Sequence, residues 1–175
     1  MRKLTMEELN RADPEKFQYV EKVPIVIVLD NIRSMHNVGS AFRTCDAFRI
    51  EKIFLCGITG KPPHRDIHKT ALGATETVDW EYYKNVADIV DKLQEYEIIL
   101  VEQTTDSIPL QNFIPVANQK YCFVFGNEVF GVSDELMSLA SKSLEIPQFG
   151  TKHSLNVSVS LGVVVWDVYQ KAYLK

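Results

Sequence analysis

The chain has 175 residues, with 19 Lys and Arg against 23 Asp and Glu for a formal charge of −4. That length predicts one domain with room for a buried core, and the negative charge excludes nucleic-acid binding by bulk charge alone, because affinity for phosphate backbones rests on Lys and Arg. Residues 1–10 hold no apolar run, so no secretory leader is expected, and Cys45, Cys56 and Cys122 form no Cys-x-x-Cys pair, which points to reduced cysteines in a cytoplasmic protein rather than to disulfides or zinc.

Residues 1–22 read as a short helical extension ahead of one domain over residues 23–175. The β-branched run at residues 23–29 predicts a strand buried on both faces. Asn37 is then placed to cap a helix whose apolar positions Val38, Ala41, Phe42, Cys45 and Phe48 follow the helical period, with Arg43 projecting off that stripe. Gly39 is expected to let the backbone approach a ligand. Residues 52–56 read as the next strand. Lys61, His64, Arg65, His68 and Lys69 gather around a Pro-Pro loop, a candidate phosphate contact set against the ordinary reading of a solvated face. A helical turn at residues 69–72 and a brief strand at 77–80 follow.

Acidity is concentrated in residues 76–106, where Glu76, Asp79, Glu81, Asp88, Asp91, Glu95, Glu97, Glu102 and Asp106 face only Lys84 and Lys92, so the remainder is mildly basic. Within that stretch Asn85 is placed to cap an amphipathic helix through Val86, Ile89, Val90 and Leu93. Residues 98–101 and 121–125 are further buried-strand candidates. The loop Gly126-Asn127-Glu128-Val-Phe-Gly131 follows the second of them, at the carboxyl end of the sheet, where open α/β proteins bind ligands. Ser133 opens a short helix over 135–140, and residues 144–146 form a last strand. Pro147 and Gly150 shape a loop whose amides and carbonyls are free for a ligand, and Ser154 and Asn156 are candidates to cap a long helix reaching Tyr173. Strands interleaved with helices imply an α/β fold, a mostly parallel sheet with helices on both faces. The last helix is apolar almost all round through Val157, Val159, Leu161, Val163, Val164, Val165, Trp166 and Val168, while Ser158, Ser160, Gly162 and Asp167 argue against a membrane span. Such a helix belongs in a core or a subunit interface, so a homodimer is expected.

Three segments share an order and spacing: Asn37-Val-Gly39-Ser-Ala-Phe-Arg43-Thr-Cys, Phe125-Gly126-Asn-Glu128-Val-Phe-Gly131, and Glu145-Ile-Pro-Gln148-Phe-Gly150-Thr-Lys-His-Ser154-Leu-Asn156. They resemble the motifs of the SpoU (TrmH-like) RNA ribose 2′-O-methyltransferases of the SPOUT superfamily, with a likeness running from near Val26 to near Tyr169. The resemblance implies a deep trefoil knot in roughly the last third of the chain, against the rule that chains do not thread. It also implies an obligate homodimer, S-adenosyl-L-methionine as cofactor, and methyl transfer to a ribose 2′-hydroxyl of structured RNA. tRNA is favoured, with a D-loop guanosine as one target; the alternatives are ribosomal RNA or a non-catalytic RNA-binding protein that keeps the fold. Catalytic roles fall by resemblance on Arg43, Asn37, Glu128, Ser154 and Asn156. Cofactor contacts fall on Phe125, Gly126, Asn127, Gly131, Ile146, Pro147, Gln148, Gly150, Ser154, Leu155 and Asn156. RNA contacts are expected at Lys61, His64, Arg65, His68, Lys69, Arg33 and Lys152.

Gln148 departs from the family pattern, which has a more apolar residue there. Asn37 has two compatible readings, helix cap and active-site hydrogen-bonding group. An arginine holds its proton tightly, so Arg43 suits a phosphate clamp and alkoxide stabiliser better than the general-base role also considered for this arginine. Rival chemistries lack their marks: no Gly-x-Gly-x-x-Gly follows the first strand, no Walker sequence or nucleophile elbow is present, and His36, His64, His68 and His153 lack metal-ligand spacing, so no metal is expected.

Overall fold

The computed structural model describes residues 1–5, 7–9, 11, 13–17 and 19–174. A β-branched run with no polar face must be covered on both sides, and β1 (Val23–Asp30) is: every residue in it except Pro24 is buried. It lies inside a seven-stranded sheet, third from one edge, hydrogen-bonded in parallel to β2 (Ile50–Cys56) on one side and β6 (Tyr121–Phe125) on the other. Outward from β2 lies β3 (Asp79–Tyr83). Outward from β6 come β4 (Glu97–Val101), β7 (Lys142–Glu145) and β5 (Ile108–Pro109), and every pairing is parallel.

Alternate residues of a strand point to opposite faces, and the two cores follow that period. On one face Ile25, Ile27, Leu29, Phe123 and Phe125 pack under α2 (Met35–Ala47), α3 (Arg65–Ala71) and α6 (Val157–Tyr173). On the other, Val26, Val28, Cys122 and Val124 pack under the 3₁₀ turn at Val86–Ile89, α4 (Val90–Leu93) and α5 (Asp134–Leu139). The expected α/β sheet with helices on both faces is present. Ahead of it stand the four-residue α1 (Pro14–Phe17) and a capping box in which the Glu8 amide donates to Thr5 Oγ1 at 3.3 Å and the Thr5 amide to Glu8 Oε2 at 2.8 Å.

Several boundaries differ from expectation. Ser34, not Asn37, caps α2: its Oγ accepts the Asn37 amide at 3.3 Å, so the helix starts three residues early and the Asn37 side chain is released from capping. Gly39 admits a helix rather than a ligand, since a Cβ there would lie 2.1 Å from Thr70 Oγ1 and 2.3 Å from the Ile67 carbonyl oxygen of α3. Asn156, not Ser154, caps α6, accepting the Ser158 amide at 2.9 Å. Asn85 stands at its expected cap position but makes no side-chain cap bond. The helix expected at residues 69–72 starts at Arg65, where His64 Nδ1 accepts the Asp66 amide at 3.2 Å. The acidic stretch is partly neutralised at Glu81, which accepts Lys52 Nζ at 2.6 Å and pairs with Lys92 at 3.1 Å. The Lys52 bond, with that of the Tyr83 hydroxyl, holds its carboxyl down at about 2. All three cysteines are free and buried, and burial pushes the Cys56 thiol up to about 12, as inert core thiols require.

Candidate active site

The loop after β6 is the tightest piece of backbone near the sheet's carboxyl edge. A Cβ on Gly126 would lie 2.3 Å from the Gly131 carbonyl carbon, and Gly131 has φ of +71°, so only glycines let the two ends meet. Asn127 and Gly131 exchange amide–carbonyl hydrogen bonds of 2.9 and 3.0 Å. The buried Asn127 side chain locks the turn: Oδ1 accepts the amides of Val129 at 2.9 Å and Phe130 at 3.1 Å, and Nδ2 donates to the Asn31 carbonyl at 2.6 Å. Beside it Asp30, fully buried at the end of β1, accepts the Ser133 amide at 2.7 Å and Asn31 Nδ2 at 2.7 Å.

This scaffold carries Glu128 to the start of α2. Its Oε2 accepts the Arg33 amide at 3.1 Å, and its Oε1 accepts the Ser34 amide at 3.3 Å and Asn37 Nδ2 at 3.1 Å. Partial burial pushes the carboxyl up, but hydrogen bonds from Arg33, its own amide, Asn37 and Ser34 outweigh it, and Glu128 lies below the usual carboxylate range. A carboxylate can only accept, so Asn37 must turn its amide nitrogen to Glu128 and its oxygen away. That oxygen accepts Asn156 Nδ2 at 3.0 Å, while Asn156 Oδ1 accepts the Ser158 amide at 2.9 Å and its hydroxyl at 2.7 Å. One polar chain thus joins all three sequence motifs, from Glu128 through Asn37 to Asn156.

Next to this chain lies a cavity of about 580 Å³, bounded by the segments that follow β4, β6 and β7 and by the start of α6. Phe125, Gly126, Asn127, Gly131, Ile146, Gln148, Ser154, Leu155 and Asn156 line it, as does Glu128. Pro147 and Gly150 lie in the same loop but off the cavity wall, and Arg43 is exposed two turns along α2, where, among the described residues, it makes no hydrogen bond or ion pair. Among the described residues, no backbone–backbone hydrogen bond ties the amides of residues 148–155, which leaves those N–H groups free to meet the edge of a ligand.

Sequence reasoning passed over Glu102 and Gln103. Glu102 accepts the amides of Gln103 at 3.0 Å and Val132 at 3.3 Å, and Gln103 Nε2 donates to the His153 carbonyl at 2.8 Å, tying the end of β4 to the third motif. The usable signal was position: both follow a buried strand at the sheet's carboxyl end, as Glu128 does. With Glu145, whose carboxylate accepts Ser107 Oγ at 2.9 Å, Glu102 gives the cavity anionic walls that suit a cationic ligand such as a sulfonium.

The basic residues lie on α3 and the loop before it. Lys61, His64, Arg65, His68 and Lys69 are exposed. Lys61 Nζ sits 4.3 Å over the Tyr82 ring, and Lys69 and His36 approach Asp66 at 3.6 and 4.0 Å. Thr70 Oγ1 donates to the His36 carbonyl at 3.0 Å, so this cationic helix is fastened to the same end of α2 that carries Asn37. Arg33 and Lys152 are also exposed, Arg33 with its amide on Glu128. Among the described residues, no acid–histidine–cysteine group could hold a metal, and no helix is long and apolar enough to cross a membrane.

Residues 24–166 match the SpoU rRNA Methylase family. The chain belongs to that family. It is similar to the tRNA (guanosine(18)-2′-O)-methyltransferase of Aquifex aeolicus, 30% identical over 154 residues that cover 84% of this chain and 69% of that protein. It is also similar to the 23S rRNA (guanosine-2′-O-)-methyltransferase RlmB of Neisseria meningitidis, 30% identical over 154 residues covering 87% of this chain and 60% of that protein. The SpoU methyltransferase AviRb of Streptomyces viridochromogenes, solved in complex with AdoMet, superposes with a TM-score of 0.79 at 16% identity over 87% of this chain and 62% of that one, a likeness of fold. In this SpoU-family chain the three motifs are those that the polar chain connects.

Proposed function

We propose that this SpoU-family chain transfers a methyl group from S-adenosyl-L-methionine to a ribose 2′-hydroxyl of structured RNA, with tRNA the favoured substrate. The observation that carries the reading is the hydrogen-bonded chain Glu128–Asn37–Asn156, which holds residues of all three motifs against a 580 Å³ cavity with free backbone and anionic walls. Bound there, the cofactor would supply a sulfonium methyl to the 2′-oxygen, leaving a neutral thioether as the hydroxyl proton departs. Phe125, Gly126, Asn127, Gly131, Ile146, Gln148 and Leu155 would hold it through backbone and apolar contacts.

The protein's own part is positioning. Glu128 is saturated by N–H donors and held ionised below the usual range, which makes it a poor proton acceptor and a good anchor for Asn37. Ser154, exposed on the cavity wall, is free to meet the ribose. Arg43, which makes no hydrogen bond or ion pair among the described residues, suits the RNA phosphate. Lys61, His64, Arg65, His68, Lys69, Arg33 and Lys152 would contact the RNA backbone.

A homodimer is supported by α6, whose Val159, Val163 and Trp166 are 51%, 38% and 47% exposed at helical spacing. A C-terminal trefoil knot is supported by the placement of β7 between β4 and β5, which makes residues 102–107 cross the path by which the chain leaves β7, and by Gln103 gripping His153 across that crossing. Residues 1–22 would then be an extension to a methyltransferase domain over 23–175, and the buried, reduced cysteines suit the cytoplasm. Ribosomal RNA is the second reading, favoured by the relative from Neisseria meningitidis.

Purified protein incubated with labelled S-adenosylmethionine and separate pools of unmodified tRNA and ribosomal RNA tests this. Transfer to one pool, lost in Arg43→Ala, is expected. Cofactor binding without transfer to either pool would leave an RNA-binding role instead.

A further inference from the structure

A second cavity, about 330 Å³, shares Asn127 and Gly131 with the first. Its chemistry is different. Ile58 and Phe130 stand in its wall 63% and 85% exposed, and Arg33, Val132 and Ser133 also line it. Large apolar side chains so exposed at one spot mark a contact surface.

The walls are built in advance. The Ile58 amide donates to Asn31 Oδ1 at 3.1 Å, and the Phe130 amide donates to Asn127 Oδ1 at 3.1 Å, so both side chains ride on locked turns. Arg33 gives its backbone N–H to Glu128 at 3.1 Å, and its exposed side chain lines the second cavity. An aromatic platform, an apolar wall and a cation together match a single nucleotide. Its base has a π-face for Phe130, and its phosphate suits Arg33.

We propose that this second cavity takes an unstacked RNA base close to the methylated nucleotide, stacked on Phe130 against Ile58 with its phosphate on Arg33. The placement rests on the reading of the chain as an RNA methyltransferase, because the shared loop puts this base beside the ribose presented to the first cavity. Stacking tolerates any base, so Phe130 supplies affinity with little base preference.

The test combines photocrosslinking with kinetics on the full chain. Unmodified tRNA and ribosomal RNA transcripts containing 5-bromouridine are irradiated on the protein with S-adenosylmethionine present. The peptide carrying Phe130 is the expected crosslink, lost in Phe130→Ala and kept in Phe130→Trp. Phe130→Ala and Ile58→Ala raise KM for RNA about tenfold, the range of one lost base–aromatic stack, with kcat and KM for S-adenosylmethionine within about twofold. Phe130→Trp restores KM.

Methyl transfer with an unchanged RNA KM in both alanine variants, and crosslinks elsewhere, would overturn the base pocket and leave the methyltransferase reading intact. Crosslinking at Phe130 with no transfer to any RNA would overturn the methyltransferase reading and keep the base pocket. A change from dimer to monomer in Phe130→Ala during sedimentation would show the surface to be a contact between copies and overturn the proposal.

Discussion

Two loops face each other across the main cavity and are built on opposite plans. Residues 126–131 are locked by a backbone bridge, two glycines and the fully used side chain of Asn127. Residues 147–155 carry no backbone bridge among the described residues, and Phe149 is 97% exposed. The first loop spends its polar groups on itself and on α2, and so fixes where Glu128 and Asn37 stand. The second keeps its backbone N–H groups free among the described residues, and so is the side that answers to a ligand. Rigid support on one wall and unsatisfied backbone on the other is the division a positioning enzyme needs.

Glycine substitution separates the two loops most sharply. Gly126→Ala forces a Cβ to within 2.3 Å of backbone and is expected to cost about 3 kcal/mol or more in denaturant unfolding, within the severe class of backbone strain, and to abolish cofactor binding. Gly150→Ala meets nothing within 4 Å and is expected to change stability by less than about 0.5 kcal/mol. Equal costs at both sites would break the contrast.

Removing the anchor gives the next largest effect. Glu128→Gln replaces a charged acceptor of three N–H groups from Arg33, Ser34 and Asn37. It is expected to cost about 1–2 kcal/mol, taking the charge-assisted value with a discount for solvent screening at this exposed residue, and to lower kcat more than KM for cofactor. Its pH dependence carries a definite sign. Because the folded-state pKa is lowered, the carboxylate's contribution is complete above the unfolded value, near about 4.3, and is lost as pH falls through the folded value. Melting curves between neutral and acid pH should fall less steeply for Glu128→Gln than for the parent chain.

Two smaller effects sharpen the picture of the ligand-facing side. Trp166→Glu, on the exposed face of α6, is expected to convert a dimer to a monomer in sedimentation. Lys152→Ala, on the open loop, should weaken RNA binding evenly across sequences and reduce the salt dependence of binding by about one unit of slope. An unchanged slope would take Lys152 out of the RNA contact.

Much of this was legible in the chain because burial leaves a plain imprint. Unbroken apolar runs marked β1 and β6, and the apolar surround of α6 marked it as buried or shared. The three motifs led to Glu128, Asn37 and Asn156, which the fold brings into one hydrogen-bonded line. Contacts between segments distant in sequence were not legible. Nothing local distinguishes Ser34 from Asn37 as the cap of α2, and a glycine that admits a helix, as Gly39 does, has the same sequence signature as one that admits a ligand. Two-residue β5 is too short for any periodicity, and the placement of Glu102 beside Gly131 depends on a β4–β6 pairing that no local pattern encodes.

The chemical identity of the transferred methyl tests the central claim most directly. RNA labelled by this protein with methyl-labelled S-adenosylmethionine is hydrolysed in alkali, which cuts after every nucleotide with a free 2′-hydroxyl and spares those whose 2′-oxygen carries a methyl. The account predicts label confined to alkali-resistant dinucleotides. Label in mononucleotides would place the methyl on a base and contradict it.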